Sequence, residues 1–433
     1  MINKVKGTLD ILPNEVSFWQ DLEQALRNIS RLYGYKEIRT PLLEYSELFD
    51  RSNETSDMVT KETYTFKDRG DRLNTLRPEG TAGVVRSIIE NKLYVDNNPL
   101  KLFYMGPMFR YERPQKGRTR QFNQFGVECF SNSSPLVDAE CIAFAYNIFD
   151  KLGLKDIRVR LNTLGDSDTI KRYSEALKEY FIKYKDELCN DCKERIEKNP
   201  LRILDCKVDG AKECVLNAPK SSEFLSDSST SHFEKVKELL DAQGIPYEVD
   251  QNLVRGLDYY TETVFEIETN NDSLGTAKTV CAGGRYNNLV KELDGPDLGS
   301  FGFAFGMERI IALLKEIYPL DDEETTHFYL ISLGDKAKTK AFEIINNLRM
   351  NGIIAKTDIT NKSLKQQFKE TEKVNAMFTG VLGDIEIEKG KIIIKNQETK
   401  EEETVDIDEL LDVLVSKLTH HHHHCHCEEC DHE

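Results

Sequence analysis

The stretch Leu102–Phe130 reads LFYMGPMFRYERPQKGRTRQFNQFGVECF. Two runs with the period of a strand flank a basic, Gly-containing loop at Arg113–Arg120, which predicts a long antiparallel hairpin. Successive strand side chains point to opposite faces. In the return run Phe122, Gln124, Gly126 and Glu128 therefore share one face, and Phe125, Val127 and Cys129 the other. The second face is apolar core. The first carries an aromatic ring, an amide and a carboxylate, which fits the floor of a polar pocket better than a core. In the outgoing run Arg110 and Glu112 share a face, opposite Phe109 and Tyr111. Five cationic residues between Arg110 and Arg120 face the single Glu112. Such a tip suits an anionic, nucleotide-like ligand, although periodicity alone equally admits a solvated surface hairpin.

Working outward, 433 residues imply two or three domains, because single cores seldom exceed about 250–300 residues. A hydrophobic share of 39% and a charged share of 31% fit a globular protein. No apolar run approaches the roughly 20 residues needed to cross a bilayer. The opening MINKVKGTLDILPNE has no apolar signal region, so a cytoplasmic location is expected. The net charge of −17 argues against nonspecific coating of nucleic acid, yet an acidic protein can carry a local basic patch. The ten cysteines are expected to be thiols, with Cys129, Cys141 and Cys281 in the core.

Toward the N-terminus, Ser17–Tyr33 has the spacing of an amphipathic helix with Phe18, Leu22, Leu26 and Ile29 on one side, stopped by Gly34. A short strand interrupted by Pro41 follows. From Asp168 to Asp250 the chain is polar, charge-rich and mostly helical in pattern. The core resumes at LVRGLDYYTETVFEIE, then AGGRYNNLV, then the Gly-rich GSFGFAFGMERIIALLKEI passing into a helix. Beyond an acidic linker at Asp321–Glu324, strands and helices alternate: HFYLISL, Lys336–Met350, GIIAKTD, Ser363–Glu372, NAMFTGVLG, two short strands within Ile385–Lys395, and a helix at Ile407–Leu418. That alternation implies a separate α/β domain.

The run FRYERPQKGRTRQFNQFGVE resembles motif 2 of the class II aminoacyl-tRNA synthetases, in the form found in bacterial histidyl-tRNA synthetases. Gly34–Leu48 is similar to motif 1, and the run through Gly302, Gly306 and Arg309 to motif 3. RGLDYY and GGRYNNLV resemble the two histidine-specific motifs. The resemblance covers roughly residues 1–418 and implies an α+β chain. Residues 1–322 would be a class II catalytic core built on an antiparallel sheet, with a helical insertion domain at 168–250. Residues 323–418 would be an α/β anticodon-binding domain, and 419–433 a His/Cys-rich tail. Motif 1 implies a homodimer.

The implied activity is ATP-dependent activation of L-histidine and its transfer to the 3′ end of tRNA(His). The amino-acid carboxylate is itself the nucleophile, so alignment and charge neutralisation are the protein's tasks. Planar guanidinium groups suit them. The resemblance places Arg110 and Arg255 at the α-phosphate and the histidine carboxylate, and Arg309 at the γ-phosphate. It assigns Glu112 to the adenosine or its Mg²⁺, and Phe122 to stacking on adenine. Glu79, Thr81 and Gln124 would hold the α-amino group. Glu128 and Tyr260, beside Tyr259, would grip the imidazole. Arg113, Gln115 and Arg118 would approach the tRNA acceptor end. The competing reading is a non-catalytic, histidine-binding regulatory paralogue of an ATP phosphoribosyltransferase. The retained arginines and the C-terminal domain weigh against it.

Cys189-x₂-Cys192 followed by Cys206 and Cys214 offers four thiolates for a structural Zn²⁺. The tail, from His420 through Cys425, Cys427 and Cys430, is too polar to pack and is expected to be disordered. It reads as an encoded metal-binding segment or an expression tag.

Overall fold

The structure is a computed structural model; it describes residues 2–50, 62–112, 119–255, 258–271, 278–318 and 325–424, the last five by backbone only. The acidic linker lies outside these residues. The chain divides into two compact units, Met1–Leu320 and Asp321–Glu433.

The first unit is built on an eight-stranded sheet. Its strands, in chain order among the sixteen of the described residues, are β1 (Lys36–Glu37), β5 (Leu100–Phe109), β6 (Gln121–Ser131), β7 (Ile157–Thr163), β8 (Tyr247–Val249), β9 (Thr261–Thr269), β10 (Thr279–Arg285) and β11 (Gly299–Gly306). The order across the sheet is β1-β5-β6-β11-β10-β9-β7-β8. All pairs are antiparallel except the two at the edges, β1 with β5 and β7 with β8. A small sheet holds β2 (Leu43–Tyr45), β3 (Tyr64–Lys67) and β4 (Leu73–Leu76) in the order β2-β4-β3. Pro41 separates β1 from β2, so the one interrupted strand expected there becomes two strands in two sheets. Proline cannot donate to a ladder, which makes it a natural break.

β5 and β6 pair from Leu100↔Phe130 to Phe109↔Gln121, which is the expected hairpin. Phe125, Val127 and Cys129 are fully buried in the main core with Phe301, Phe303 and Phe305 of β11. The helix Pro13–Leu32 closes this core with Trp19, Leu22, Leu26 and Ile29. The seven cysteines among the described residues are free thiols, and Cys129, Cys141 and Cys281 are buried.

The expected helical segment 168–250 does not behave as one body. Helices Ser167–Ile182 and Asn190–Lys198, with the turns after them, form a second cluster from Leu164 to Ala218, joined by Leu253, Val254 and Val264. The helix Asp227–Ala242 instead buries Phe233, Val236 and Leu240 in the main core. The boundary therefore falls earlier than composition indicates, because this helix is as polar on its outer face as its neighbours.

In the second unit β12 (Thr326–Ser332), β13 (Ala355–Thr357), β14 (Ala376–Leu382), β15 (Lys391–Asn396) and β16 (Glu402–Asp406) form a sheet in the order β13-β12-β14-β15-β16. The first three are parallel and the last two antiparallel. Asp384–Lys389 is a helix rather than the first of two strands. The Glu386 carboxylate accepts from the Gly383 N–H at 2.9 Å, acids sit well in a first turn, and Gly390 at φ +64° ends it. The second strand of that pair is β15, and β16 is a further strand beyond the expected range. The closing helix runs from Leu410 to His424, so the backbone of 419–424 continues a helix where disorder was expected. Extending an established helix costs far less than starting one. Residues 425–433 lie outside the described residues. No helix of the described residues is long and apolar enough to cross a membrane.

Candidate active site

The polar face of β6 meets only small residues on the β11 side. Gln124, Gly126 and Glu128 pair with Gly106, Tyr104 and Leu102 on β5, and with Gly306, Ala304 and Gly302 on β11. Cross-strand neighbours lie about 4.5–5.5 Å apart, so small partners leave room above the sheet. The run GSFGFAFG alternates phenylalanine into the core with small residues toward the pocket. A Cβ on Gly302 would stand 2.0 Å from Glu128 Oε2, and one on Gly126 would stand 2.2 Å from the Tyr104 hydroxyl.

Glu128 is buried, only 1% exposed. Its Oε1 accepts from the Thr81 hydroxyl at 2.6 Å and, weakly at 3.5 Å, from Tyr104. Its Oε2 accepts from the Tyr286 hydroxyl. Burial pushes the Glu128 carboxyl up to about 8, against the pull of these donors. Burial also raises Tyr104 and Tyr286, which keeps their hydroxyls protonated as donors.

Glu79 and Thr81 are brought to this floor. Both Glu79 oxygens accept backbone N–H groups, from Thr81 at 2.6 Å and Ala82 at 2.8 Å. Glu79 thus satisfies two orphan donors of the helix Thr81–Glu90, where negative charge is favoured. Gln124 Oε1 accepts from Tyr104 at 3.4 Å. Tyr259 and Tyr260 pack ring to ring with centroids 4.8 Å apart, and Tyr259 lies edge-on to Tyr286 at 5.6 Å. Burial pushes the Tyr260 phenol up to about 12, and the Arg255 guanidinium works against it from 5.7 Å over the ring.

The three arginines are each held by identifiable partners. Arg110 Nε donates to Pro78 O at 2.8 Å; its guanidinium lies 5.2 Å over the Phe122 ring and 3.9 Å from Glu112. Arg309 donates to Thr279 O at 2.6 Å. Arg255 pairs with Glu266, whose other oxygen accepts from the Thr279 hydroxyl at 3.0 Å. Arg255 and Arg309 are therefore joined through Glu266 and Thr279. The buried Nε of Arg255 has no hydrogen-bond partner among the described residues, so a donor remains for an anion. Arg113, Gln115 and Arg118 lie outside the described residues.

Three features escape the sequence reading. Tyr286, singled out by the GGRYNNLV run, bonds Glu128 itself, a contact the run does not specify. Glu308, just before Arg309 on the helix Met307–Ile317 that follows β11, accepts from the backbone N–H of Asn123 at 2.7 Å and its side chain at 3.1 Å, tying β6 to that helix. Arg285 does not face the pocket: it is fully buried on the core side, paired with Asp138, which also bonds His232 at 2.8 Å. Among the cysteines, Cys189, Cys192 and Cys206 converge, but Cys214 does not join them; Asp209 takes the fourth place. Cys214 sits in the short helix Glu213–Leu216, packed in the apolar cluster.

A family model for histidyl-tRNA synthetase matches residues 7–310, and one for an anticodon-binding domain matches residues 327–417. The histidine–tRNA ligase of Bacillus cytotoxicus is 49% identical over 416 residues, covering 95% of this chain and 98% of that protein. The crystal structure of apo Staphylococcus aureus histidyl-tRNA synthetase superimposes with a TM-score of 0.82 at 43% identity, covering 96% of this chain and all of that one. A Bacillus halodurans structure described as an ATP phosphoribosyltransferase regulatory subunit/histidyl-tRNA synthetase shares the fold, with a TM-score of 0.63 at 20% identity, over 88% of this chain and 98% of that one. On the strength of these matches over both units, the chain belongs to the histidyl-tRNA synthetase family.

Proposed function

We propose that the chain activates L-histidine with ATP and transfers it to tRNA(His). The observation that carries this reading is the buried Glu128 carboxyl, surrounded by hydroxyl donors and flanked by Tyr260. An imidazole between Glu128 and Tyr260 has a partner for each ring nitrogen. Losing hydrogen bonds to a buried polar site costs a mismatched guest about 10⁴–10⁵ in specificity. Glu79 and Gln124 supply oxygens for the α-ammonium group, while the Thr81 hydroxyl holds Glu128 in place.

Membership of the family implies ATP and a divalent metal. Phe122 offers adenine a ring face. Arg110 and Arg255 neutralise the α-phosphate while the histidine carboxylate attacks it, and pyrophosphate leaves toward Arg309. A terminal ribose hydroxyl of tRNA then attacks the adenylate carbonyl and AMP leaves. Glu112 is the carboxylate proposed to hold a Mg²⁺ bound with the nucleotide, which would offset phosphate charge. Arg113, Gln115 and Arg118 are proposed to meet the acceptor end, where cationic contacts to phosphate add affinity and salt dependence rather than base reading. A homodimer and a cytoplasmic location complete the proposal. The regulatory alternative finds less support, because the family matches extend over both units.

Histidine-dependent ATP–pyrophosphate exchange is the direct test. Exchange that appears with histidine and not with other amino acids is expected; its absence in folded protein overturns the reading. Gln115→Ala should impair aminoacylation by roughly tenfold or more, about 1.4 kcal/mol, with exchange little changed. Equal losses in both assays would remove the acceptor role.

A further inference from the structure

We propose that Cys189, Cys192, Cys206 and Asp209 form a structural zinc site, closed by four protein ligands and separate from the amino-acid pocket. Their ligand atoms all lie within 4.8 Å of one another. At a Zn–S distance of about 2.3 Å, tetrahedral geometry sets neighbouring sulfurs about 3.8 Å apart. Cys189 Sγ and Cys206 Sγ are 3.9 Å apart. A disulfide would require about 2.05 Å, so the pair stands at the spacing of two ligands of one ion.

The chain delivers the four groups as two matching pairs. Cys189 immediately precedes the helix Asn190–Lys198, and Cys192 sits in its first turn. Cys206 and Asp209 follow the turn Pro200–Ile203. The pattern is Cys-x₂-Cys and then Cys-x₂-Asp, tighter than the spacing to Cys214 that cysteine counting selects. Carboxylate oxygen is an accepted zinc donor beside thiolate sulfur.

Backbone groups shape both pairs. The Asp209 N–H points to Cys206 Sγ at 3.5 Å, and the Cys189 N–H donates to Asp209 Oδ2 at 2.8 Å. The turn closes with the Gly210 N–H on Cys206 O at 2.7 Å. A Cβ at Gly210 would stand 2.6 Å from that same oxygen, so the turn needs glycine there. Three thiolates and a carboxylate would leave a net negative site on a divalent ion. Lys212 Nζ, 2.8 Å from Asp209 Oδ1, offsets part of that charge. Ligands supported by such outer contacts are held in orientation before the metal arrives.

The position gives the ion a mechanical task. The stretch between the two pairs carries Asn199 and Arg202. Asn199 Nδ2 donates to Asp258 Oδ1 at 2.7 Å, and Arg202 donates to Arg255 O at 3.4 Å. Zinc would pin both ends of the stretch that holds the segment around Arg255. It takes no part in the chemistry.

Zinc content of the full-length chain after dialysis against EDTA tests the site, with Cys206→Ser, Asp209→Asn and Cys214→Ser beside the parent. The His/Cys-rich tail contributes equally to all four, so only differences count. The parent and Cys214→Ser should each retain one zinc per chain more than Cys206→Ser and Asp209→Asn. Equal zinc in all four overturns the proposal, as does loss in Cys214→Ser with retention in Asp209→Asn. Should Cys206→Ser fail to fold, Asp209→Asn decides alone. Its amide keeps the shape of the carboxylate and can still accept from the Cys189 N–H. The readout is metal, so failure here leaves histidine activation untouched, and the converse holds.

Discussion

Glu128 has a carboxyl that water does not reach, and burial raises its proton affinity to about 8 from an ordinary 4.5. The folded chain therefore keeps a proton that the unfolded chain releases between those two values. Stability from the protonated form is complete below about pH 4.5 and declines as pH rises toward about 8. Glu128→Gln keeps the shape and cannot ionise. Its stability relative to the parent should rise across that window, by an amount on the order of 3–5 kcal/mol. Thermal denaturation of both proteins without histidine at pH 5 and pH 8 measures it, and a difference that does not move with pH refutes the assignment. The same substitution should abolish histidine-dependent exchange. Gly302→Ala approaches the site from the neighbouring strand. With its Cβ 2.0 Å from Glu128 Oε2 and 2.5 Å from Val127 O, overpacking should cost about 1–3 kcal/mol and raise the KM for histidine; a KM within error of the parent would mean that the sheet yields freely. At this scale the sequence is legible where period 2 governs: Phe122, Gln124 and Glu128 fall on one face because the strand allows nothing else. Tyr286 stands in the GGRYNNLV run, but its bond to Glu128 is not legible, and neither is the place of Asp209, because only the folded chain brings them to their partners.

The strands β10 and β11 and the helices behind them show how elements aim the site. β10 ends at Arg285, whose guanidinium is buried against Asp138 on the helix Pro135–Lys151, while His232 on Asp227–Ala242 holds the same carboxylate. The next residue, Tyr286, turns to Glu128. Burial alone would raise Asp138, but Arg285 and His232 outweigh it and hold the carboxyl below its ordinary value. Breaking a buried pair by removing one partner costs about 3–5 kcal/mol. Asp138→Asn should therefore lower stability by that order, whereas Arg285→Met combined with Asp138→Leu should cost less than either single change. Chemical denaturation of Asp138→Asn, the two singles Arg285→Met and Asp138→Leu, and the double decides it; a double variant worse than both singles would show that the pair contributes a net gain. The hairpin was readable from its alternation, and the Gly-rich run before Arg309 carried a further signal in its regular exchange of phenylalanine with small residues. The division of the helical segment was not readable. Polar outer faces look alike on Ser167–Ile182 and Asp227–Ala242, and what separates them is the cluster each buries. Asp384–Lys389 misleads for a related reason: DIEIEK alternates like a strand, and its helix depends on a reach-back from Glu386 and a glycine stop.

Across the whole molecule, the two units have cores of their own. The first gathers Glu128, Tyr260 and the three arginines; the second encloses Phe328, Leu330, Phe378, Ile392 and Ile394 and contains none of those residues. The alternation of strands and helices beyond residue 325 made its α/β class legible. The antiparallel edge strand β16 was harder to place, because a short charged strand at a sheet edge carries little apolar signal. Separate cores allow the activities to be separated. The site proposed for activation uses only groups of the first unit, whereas charging needs tRNA to be held as well, and the second unit matches a family model for an anticodon-binding domain. A chain ending at Glu324 should therefore retain histidine-dependent exchange near the parent rate. Its aminoacylation efficiency should fall by roughly tenfold to a hundredfold, the equivalent of about 1.4–2.7 kcal/mol of lost binding. The loss should appear mainly in the KM for tRNA and should shrink at low salt, where phosphate contacts in the remaining unit strengthen. If exchange and charging fall together, circular dichroism separates a misfolded first unit from one that needs the second for chemistry. A folded truncation that cannot activate histidine would overturn the division of labour.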